Sequence, residues 1–269
     1  MTELQKKLQS LKDSGKKFFI PYITAGYPSL AITEKLVISM EQAGADAIEL
    51  GIPFSDPLAD GPIIQLSSYE ALLKGVTLSG IFEFVGNLRN KTKIPIIFMT
   101  YYNPVYKYGI EQFSITAEKY GVSGVIVPDL PPEEASLLIK SAKDHNLAVT
   151  FLFTPTSNEK RIKLITSKST GFIYYVSLAG VTGTRDKLAI SIQQKIEDAR
   201  KFTDKPIAVG FGISTPMQAK EVAAFADGVI VGSAIVKKIT ENVDKPDIIE
   251  NIKKFVMEIS NEIHSLNKG

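Results

Sequence analysis

The sequence has no cysteine and only two histidines. Without cysteine there is no disulfide bridge, no thiolate nucleophile and no cysteine-ligated metal or iron–sulfur site. Imidazole is the usual general base near neutral pH and the commonest metal ligand. We therefore expect any catalysis to depend on carboxylates, tyrosine, lysine or backbone dipoles, and we predict no metal.

Excess charge and long apolar runs are also missing. The 31 Lys and Arg residues nearly balance the 29 Asp and Glu residues, for a net charge of +2, which argues against electrostatic binding of nucleic acid. No apolar stretch approaches the ~18 residues that a membrane helix requires. Residues 1–17 lack the apolar region of a signal peptide. We predict a cytoplasmic protein that binds neither nucleic acid nor membrane.

Eight short apolar runs recur along the chain, at 18–23, 46–50, 94–99, 124–129, 148–153, 171–177, 206–211 and 228–232. Each is nearly continuously apolar, as is typical of parallel strands covered on both faces, and amphipathic segments separate them. This pattern predicts one (β/α)₈ TIM barrel over residues 1–269. We expect an extra N-terminal helix at 3–14 to cap the bottom of the barrel, and a short extra helix near strand eight.

An open, doubly wound sheet is the alternative fold. It would need a Gly-x-Gly-x-x-Gly fingerprint after the first strand, and YITAGYPS at 22–29 does not match. Helix starts are predicted at Pro28-Ser29 and at Ser214-Thr215-Pro216, from their capping side chains and from a proline at the first helical position of the second. The clearest helix carries a stripe of apolar residues: Ile248, Ile252, Phe255, Val256, Ile259 and Ile263.

Carboxylates follow the second predicted strand, at the end of a barrel where ligands bind. Glu49 ends that strand, where burial should raise its pKa toward the range of a proton donor; a structural carboxylate is the alternative. Asp60 lies in the next loop, and it either faces the same site or caps a helix before Ile63. Asp56 and Asp129 precede prolines closely and are either functional or turn residues.

Glycines concentrate after strands six, seven and eight, at 180–185, 210–214 and 232–237. Singly, each is explained by a tight turn. Together they favour phosphate binding, because the free N–H groups of such loops and the N-terminus of a short helix suit a dianion.

The residue types at the strand ends limit the possible reaction mechanisms. A Schiff-base aldolase would need a strand-end lysine, a metal-dependent aldolase a cluster of ligands, and a triosephosphate isomerase-like enolisation a His or Lys electrophile. None of these is visible in the sequence. Proton transfer by a carboxylate pair remains, on a substrate that supplies its own electron sink.

Six segments resemble, in order and nearly end to end, the α subunit of tryptophan synthase: ELGIPFSDPLADGPIIQ (49–65), YYNPV (101–105), VPDLPPEE (127–134), GVTGTR (180–185), GFGIS (210–214) and GSAIVK (232–237). The stretch 49–62 is highly specific, whereas GFGIS alone would indicate only a phosphate-binding barrel. The resemblance implies retro-aldol cleavage of indole-3-glycerol phosphate to indole and glyceraldehyde 3-phosphate. Protonation of the indole at C3 would supply the electron sink.

The resemblance also assigns roles to residues. Glu49 matches the acid/base that protonates C3 and takes the proton of the glycerol hydroxyl, and Asp60 matches the carboxylate that accepts from the indole N–H. The implied substrate-binding residues are Tyr22, Met99, Ile126, Tyr174, Thr182, Gly183, Phe211, Gly212, Gly232 and Ser233. Loops 53–60 and 178–187 are expected to close together and exclude water.

A pyridoxal-phosphate-dependent β subunit that consumes the indole is the implied partner, in an α2β2 complex. The residues expected at that interface are Asp56, Tyr101, Asn103 and Pro131. The resemblance implies no cofactor in this chain, because the pyridoxal phosphate would belong to the β partner. Two alternatives remain: a stand-alone lyase that releases free indole, and a non-catalytic phosphate-binding barrel subunit.

Overall fold

Parallel strands form a ring inside a layer of helices. The computed structural model describes residues 1–176, 185–210 and 212–267. The strands in these ranges are β1 (Phe18–Thr24), β2 (Ile48–Gly51), β3 (Ile96–Met99), β4 (Gly124–Ile126), β5 (Ala148–Thr150), β6 (Leu152–Phe153), β7 (Ile173–Val176), β8 (Ile207–Gly210) and β9 (Gly228–Val231). All the pairings between them are parallel.

Helices follow most of the strands. They are α1 (Glu3–Asp13), α2 (Leu30–Gln42), α3 (Pro62–Leu73), α4 (Leu78–Leu88), α5 (Tyr102–Tyr108), α6 (Ile110–Tyr120), α7 (Ser136–Asp144), α8 (Glu159–Lys168), α9 (Arg185–Arg200), α10 (Pro216–Ala223), α11 (Ser233–Thr240) and α12 (Ile248–His264). The eight-residue α11 is the short extra helix predicted near the last strand.

The fifth apolar run of the sequence forms two short strands instead of one. The sheet order is β5-β4-β3-β2-β1-β9-β8-β7-β6, so its two edges, β5 and β6, are separated along the chain only by Phe151. Before Phe151 the chain pairs with β4, and after it the chain pairs with β7. The Phe151 carbonyl accepts from Tyr174 N–H at 3.3 Å. The predicted eight-unit barrel is confirmed, and the extra strand arises from this change of partner.

Two apolar cores explain why the strands are apolar on both faces. The larger core lies between the strands and the helices. The smaller fills the barrel interior and includes Phe18, Ile97, Phe172 and Ile230. From α1, Leu4 and Leu8 join this interior core and are 1% and 0% exposed. The N-terminal helix therefore caps the bottom of the barrel, as its amphipathic pattern predicts.

Local signals set the helix starts that the sequence predicts. Ser29 caps α2 by accepting from Ile32 N–H. Thr215 caps α10 in a capping box with Gln218, which satisfies two otherwise orphaned donors. The stripe on α12 is buried apart from Phe255, which is partly exposed.

Among the described helices, no single one is long and apolar enough to cross a membrane. The bent pair α3 and α4 passes the same test of length and composition jointly, with 94° between the two helices.

Candidate active site

A cavity of about 250 Å³ opens at the carboxyl ends of the strands. Its lining consists of Tyr22, Glu49, Asp60, Gly61, Pro62, Ile63, Ile64, Met99, Tyr174, Gly212, Ile213, Ile230, Gly232 and Ser233. Both predicted catalytic carboxylates are in this set. So are six of the predicted binding residues: Tyr22, Met99, Tyr174, Gly212, Gly232 and Ser233.

Ile126, another predicted binding residue, is not among the residues that line the cavity. Ile126 is fully buried in the interior core, where it pairs with the lining residue Met99 on the neighbouring strand. Thr182, Gly183 and Phe211 lie outside the described residues. Most of the loop at 178–187 falls there as well.

Glu49 lies within β2, opposite Tyr22 of β1 in the strand register. Only 1% of the residue is exposed, and its Oε2 has no hydrogen-bond partner in the described ranges. Burial, with a smaller contribution from the charge of Asp60, raises the pKa of Glu49 to about 8. The carboxyl group is therefore largely protonated at neutral pH and available as a proton donor.

Asp60 ends the loop between β2 and α3. The alternative reading as a helix cap is wrong, because Gly61 is the N-cap of α3 and provides no side-chain hydrogen bond. Asp60 instead lines the cavity, and its buried Oδ1 has no hydrogen-bond partner among the described atoms. Burial raises the pKa of Asp60 to about 6, and a hydrogen bond from Tyr101 partly opposes that rise. At neutral pH this carboxylate is largely ionised.

Tyr101 has a place that sequence reasoning missed. It was expected at the partner interface, but it is only 3% exposed and stacks on Phe54 with ring centroids 5.3 Å apart. Its hydroxyl accepts from Ala59 N–H at 2.9 Å and bonds to the Asp60 side chain. The signal for this role was its position at the end of β3, beside the strand that carries Glu49.

The other residues expected at the partner interface are on the surface. Asp56, Asn103 and Pro131 are all exposed. Asp56 accepts from the hydroxyl of its neighbour Ser55 at 2.5 Å. Asp129 is also exposed, and it accepts from Tyr102 N–H at 2.9 Å, which ties the loop after β4 to the start of α5.

Two buried tyrosines extend across glycines on neighbouring strands. A Cβ added at Gly51 would lie 2.1 Å from the Tyr22 hydroxyl, and one at Gly210 would lie 2.5 Å from that of Tyr174. Only glycine leaves room for either ring. Burial raises the pKa of both tyrosines well above its usual value, so both hydroxyls stay protonated and can donate hydrogen bonds.

The glycine-containing part of the lining presents backbone rather than charged side chains. Gly212 has φ +74°, and a Cβ there would contact nothing within 4 Å. Gly232 is the N-cap of α11 and gives no side-chain cap to the N–H groups of the first turn, and Gly232 and Ser233 both line the cavity. Such a wall suits a phosphate, because the helix dipole and free N–H groups favour an anion.

The site thus places a protonated carboxyl and an ionised carboxylate in one cavity at neutral pH. Pairs of groups whose environments separate their pKa values are typical of acid–base sites. Within the described residues, no group of three or more His, Cys, Asp or Glu side chains could hold a metal ion. The arrangement can donate a proton, stabilise a developing cation and bind a small phosphate ester.

Known proteins match the chain over nearly their whole length. Residues 8–264 match the family model described as tryptophan synthase alpha chain. The tryptophan synthase alpha chain of Geobacter sp. strain M21 is 48% identical over 256 residues, which cover 95% of this chain and 96% of that protein. The crystal structure of tryptophan synthase subunit alpha from Legionella pneumophila superposes with a TM-score of 0.91 at 36% identity, covering 98% of this chain and 99% of that one.

Proposed function

This chain belongs to the tryptophan synthase alpha chain family, and we propose that Glu49 and Asp60 catalyse the family's reaction in it. The protein is a carbon–carbon lyase of tryptophan biosynthesis, which cleaves indole-3-glycerol phosphate to indole and glyceraldehyde 3-phosphate. One observation carries the assignment of the two residues. Both carboxylates line the same cavity, each with a buried oxygen that lacks a partner among the described residues.

Glu49 acts first as an acid. It transfers its proton to C3 of the indole ring, and the ring becomes an iminium-like cation. The electrons of the bond between C3 and the glycerol chain then move into the ring, which restores the indole as the bond breaks. The glycerol hydroxyl loses its proton to the Glu49 carboxylate and becomes the aldehyde. Glu49 ends the cycle protonated, as it began.

Asp60 stabilises the charge that develops in the first step. Its carboxylate accepts from the indole N–H, and that hydrogen bond strengthens as the ring nitrogen becomes positive. An interaction that is stronger in the transition state than in the ground state raises kcat. The pKa of about 6 keeps Asp60 ionised at neutral pH, as this role requires.

Binding divides between the two walls of the cavity. The indole lies among Tyr22, Met99 and Tyr174, where burial of its planar ring supplies affinity. The phosphate lies against Gly212, Gly232 and Ser233 and is held by backbone N–H groups. Ile126, Thr182, Gly183 and Phe211 remain proposed binding residues on the resemblance of their sequence segments.

A β subunit is the proposed partner, in an α2β2 complex. The alpha chain family needs no cofactor of its own, and we assign the pyridoxal phosphate to that partner. The exposed residues Asp56, Asn103 and Pro131 are candidates for the interface. Tyr101 is buried against Asp60, so it would contribute by supporting the loop beneath the interface.

The domain and the compartment are proposed on similar grounds. One nearly closed ring of strands supports a single domain over residues 1–269. The cytoplasm is the proposed location, since the substrate and product belong to amino-acid biosynthesis.

An assay of the purified chain tests the function. We expect it to release glyceraldehyde 3-phosphate from indole-3-glycerol phosphate, and a β subunit to co-elute with it in gel filtration and raise its turnover. A chain that binds β but cleaves no substrate under either condition would be the non-catalytic subunit. High turnover alone, with no complex, would identify a stand-alone lyase. Neither alternative is favoured by the match to the alpha chain family.

A further inference from the structure

Three hydroxyl groups lead from the cavity into helix α3. The Tyr22 hydroxyl lies 3.4 Å from Thr24 Oγ1, which lies 2.6 Å from Ser67 Oγ. Ser67 Oγ in turn donates to the Ile64 carbonyl at 2.8 Å. All three hydroxyl-bearing residues are at most 4% exposed. The series therefore joins strand β1 to helix α3 through buried groups.

Proton counting gives this series one direction. Ser67 has a single hydroxyl proton, and it is donated to Ile64. Thr24 must then donate to Ser67, which leaves a lone pair of Thr24 to accept from Tyr22. Hydrogen bonds aligned in this way strengthen one another. The contact between Tyr22 and Thr24 is the longest, so this end of the series is the least tightly held.

Each end of the series lies beside a catalytic carboxylate. Ile64 is in the first turn of α3, which begins at Pro62, two residues after Asp60, and Ile64 itself lines the cavity. Tyr22 lies opposite Glu49 in the register between β1 and β2. The hydroxyls thus connect the helix that follows Asp60 to the strand pair that carries Glu49.

We propose that Tyr22, Thr24 and Ser67 form a positioning relay that fixes the first turn of α3, and with it Asp60, relative to Glu49. The proposal rests on the proposed function of the two carboxylates. Thr24 and Ser67 touch no reacting atom and act through the placement of Asp60. Such placement matters because a displacement of about 1 Å in a site can cost about 100-fold in rate.

Steady-state kinetics on five variants test the relay. We expect Ser67→Ala, Thr24→Val and Tyr22→Phe each to lower kcat by about three- to tenfold, the size of one lost hydrogen bond, with a smaller change in KM. The double variant Tyr22→Phe/Ser67→Ala should be no slower than the slower single variant, because both changes interrupt one series. Thr24→Ser retains the hydroxyl and should restore most of the activity lost in Thr24→Val.

Matched controls separate the relay from general stability. Ser39 in α2 is 4% exposed and donates to Leu36 three residues back, as Ser67 does to Ile64. Tyr27 bonds to Thr240 at 3.0 Å through its hydroxyl. We expect Ser39→Ala and Tyr27→Phe to keep the wild-type kcat, with thermal unfolding recorded for every variant.

The outcomes are distinct from those of the proposed function. An active wild-type chain with a fully active Ser67→Ala variant would overturn the relay alone, as would additive losses in the double variant. A loss in Tyr22→Phe only would mean that this hydroxyl contacts the substrate directly, which also overturns the relay. A wild-type chain with no lyase activity would refute the proposed function itself.

Discussion

Buried carboxylates occur at both ends of the barrel, but their surroundings differ. At the bottom, Asp227 is 7% exposed, and its two oxygens accept from Arg200 Nη2 and from Ile207 N–H, each at 2.9 Å. At the top, Glu49 is 1% exposed and its Oε2 has no partner in the described ranges. Burial is common to both residues, so the difference lies in the bonding partners.

A second carboxylate at the bottom of the barrel is also bonded to a backbone N–H group and to a basic side chain. Asp46 comes just before β2, as Asp227 comes just before β9, and its Oδ2 accepts from Phe19 N–H at 2.9 Å and contacts His264 at 3.2 Å. Breaking a paired carboxylate is destabilising because its partner is left unpaired, and a buried carboxylate without any partner costs stability. The comparison teaches that the bottom carboxylates hold strands together, while the top ones remain available to a ligand.

The largest effect is expected from Glu49→Gln. The amide cannot donate a proton to C3 or take one from the glycerol hydroxyl, so kcat should fall by about 10²- to 10⁴-fold. Substrate affinity should change little, which equilibrium binding of indole-3-glycerol phosphate would measure. A wild-type kcat in this variant would show that the unpaired carboxyl group at the top of the barrel is no more catalytic than the paired ones at the bottom.

Glu49→Gln should also change the stability of the protein in a way that depends on pH. The native pKa of Glu49 is about 8, above its ordinary value of 4.5. The native state therefore holds this proton more tightly than the unfolded state does. The stability it contributes is present below pH 4.5 and lost as the pH rises to about 8. We expect Glu49→Gln to unfold at a higher temperature than wild type near pH 8.5, with a difference that shrinks toward pH 5.

Asp227→Asn should lower stability and leave catalysis unchanged. It weakens a charge-assisted bond to Arg200, so we expect the free energy of unfolding to fall by about 2 kcal/mol in denaturant titration. The folded variant should retain the wild-type kcat. Asp198, which pairs with Lys201 on the surface, is the control, and Asp198→Asn should unfold like wild type. A large loss of kcat in folded Asp227→Asn would show that the bottom also serves catalysis.

A smaller effect concerns the coupling of the two top carboxylates. With Asp60 ionised and Glu49 protonated in the active form, kcat/KM should follow a bell with limbs near pH 6 and pH 8. Asp60→Asn should remove the acid limb. It should also move the alkaline limb to lower pH, because the charge of Asp60 helps to raise the pKa of Glu49. An unmoved alkaline limb would mean that burial alone sets that pKa.

Much of this molecule follows from local sequence patterns. Each of the predicted features lies within one short segment of the chain. They are the apolar runs, the capping residues Ser29 and Thr215, and the stripe on α12. The topological rule that ligands bind at the carboxyl ends of barrel strands then suffices to group Glu49 with Asp60.

The features that sequence reasoning missed depend on contacts between distant segments. The bond from Tyr101 to the Asp60 loop requires the spacing of β2 and β3, and the link between Thr24 and Ser67 requires the packing of α3 on β1. The change of partner at Phe151 depends on closure of the whole ring. Residue type and spacing along the chain carry no direct signal for any of these.

The smallest effect should come from Tyr175→Phe. This variant tests whether a buried polar group without a hydrogen-bond partner is functional even when it lies outside the cavity. The Tyr175 hydroxyl is buried and has no hydrogen-bond partner within the described residues, yet the side chain packs edge-on against Phe153 in the outer core, away from the cavity. Burial raises its pKa to about 12, so it stays neutral. Removing an unbonded hydroxyl should leave kcat unchanged and stability equal or up to about 1 kcal/mol higher. A loss of kcat would extend the functional region beyond the cavity, whereas the expected result restricts it to unpartnered groups that a ligand can reach.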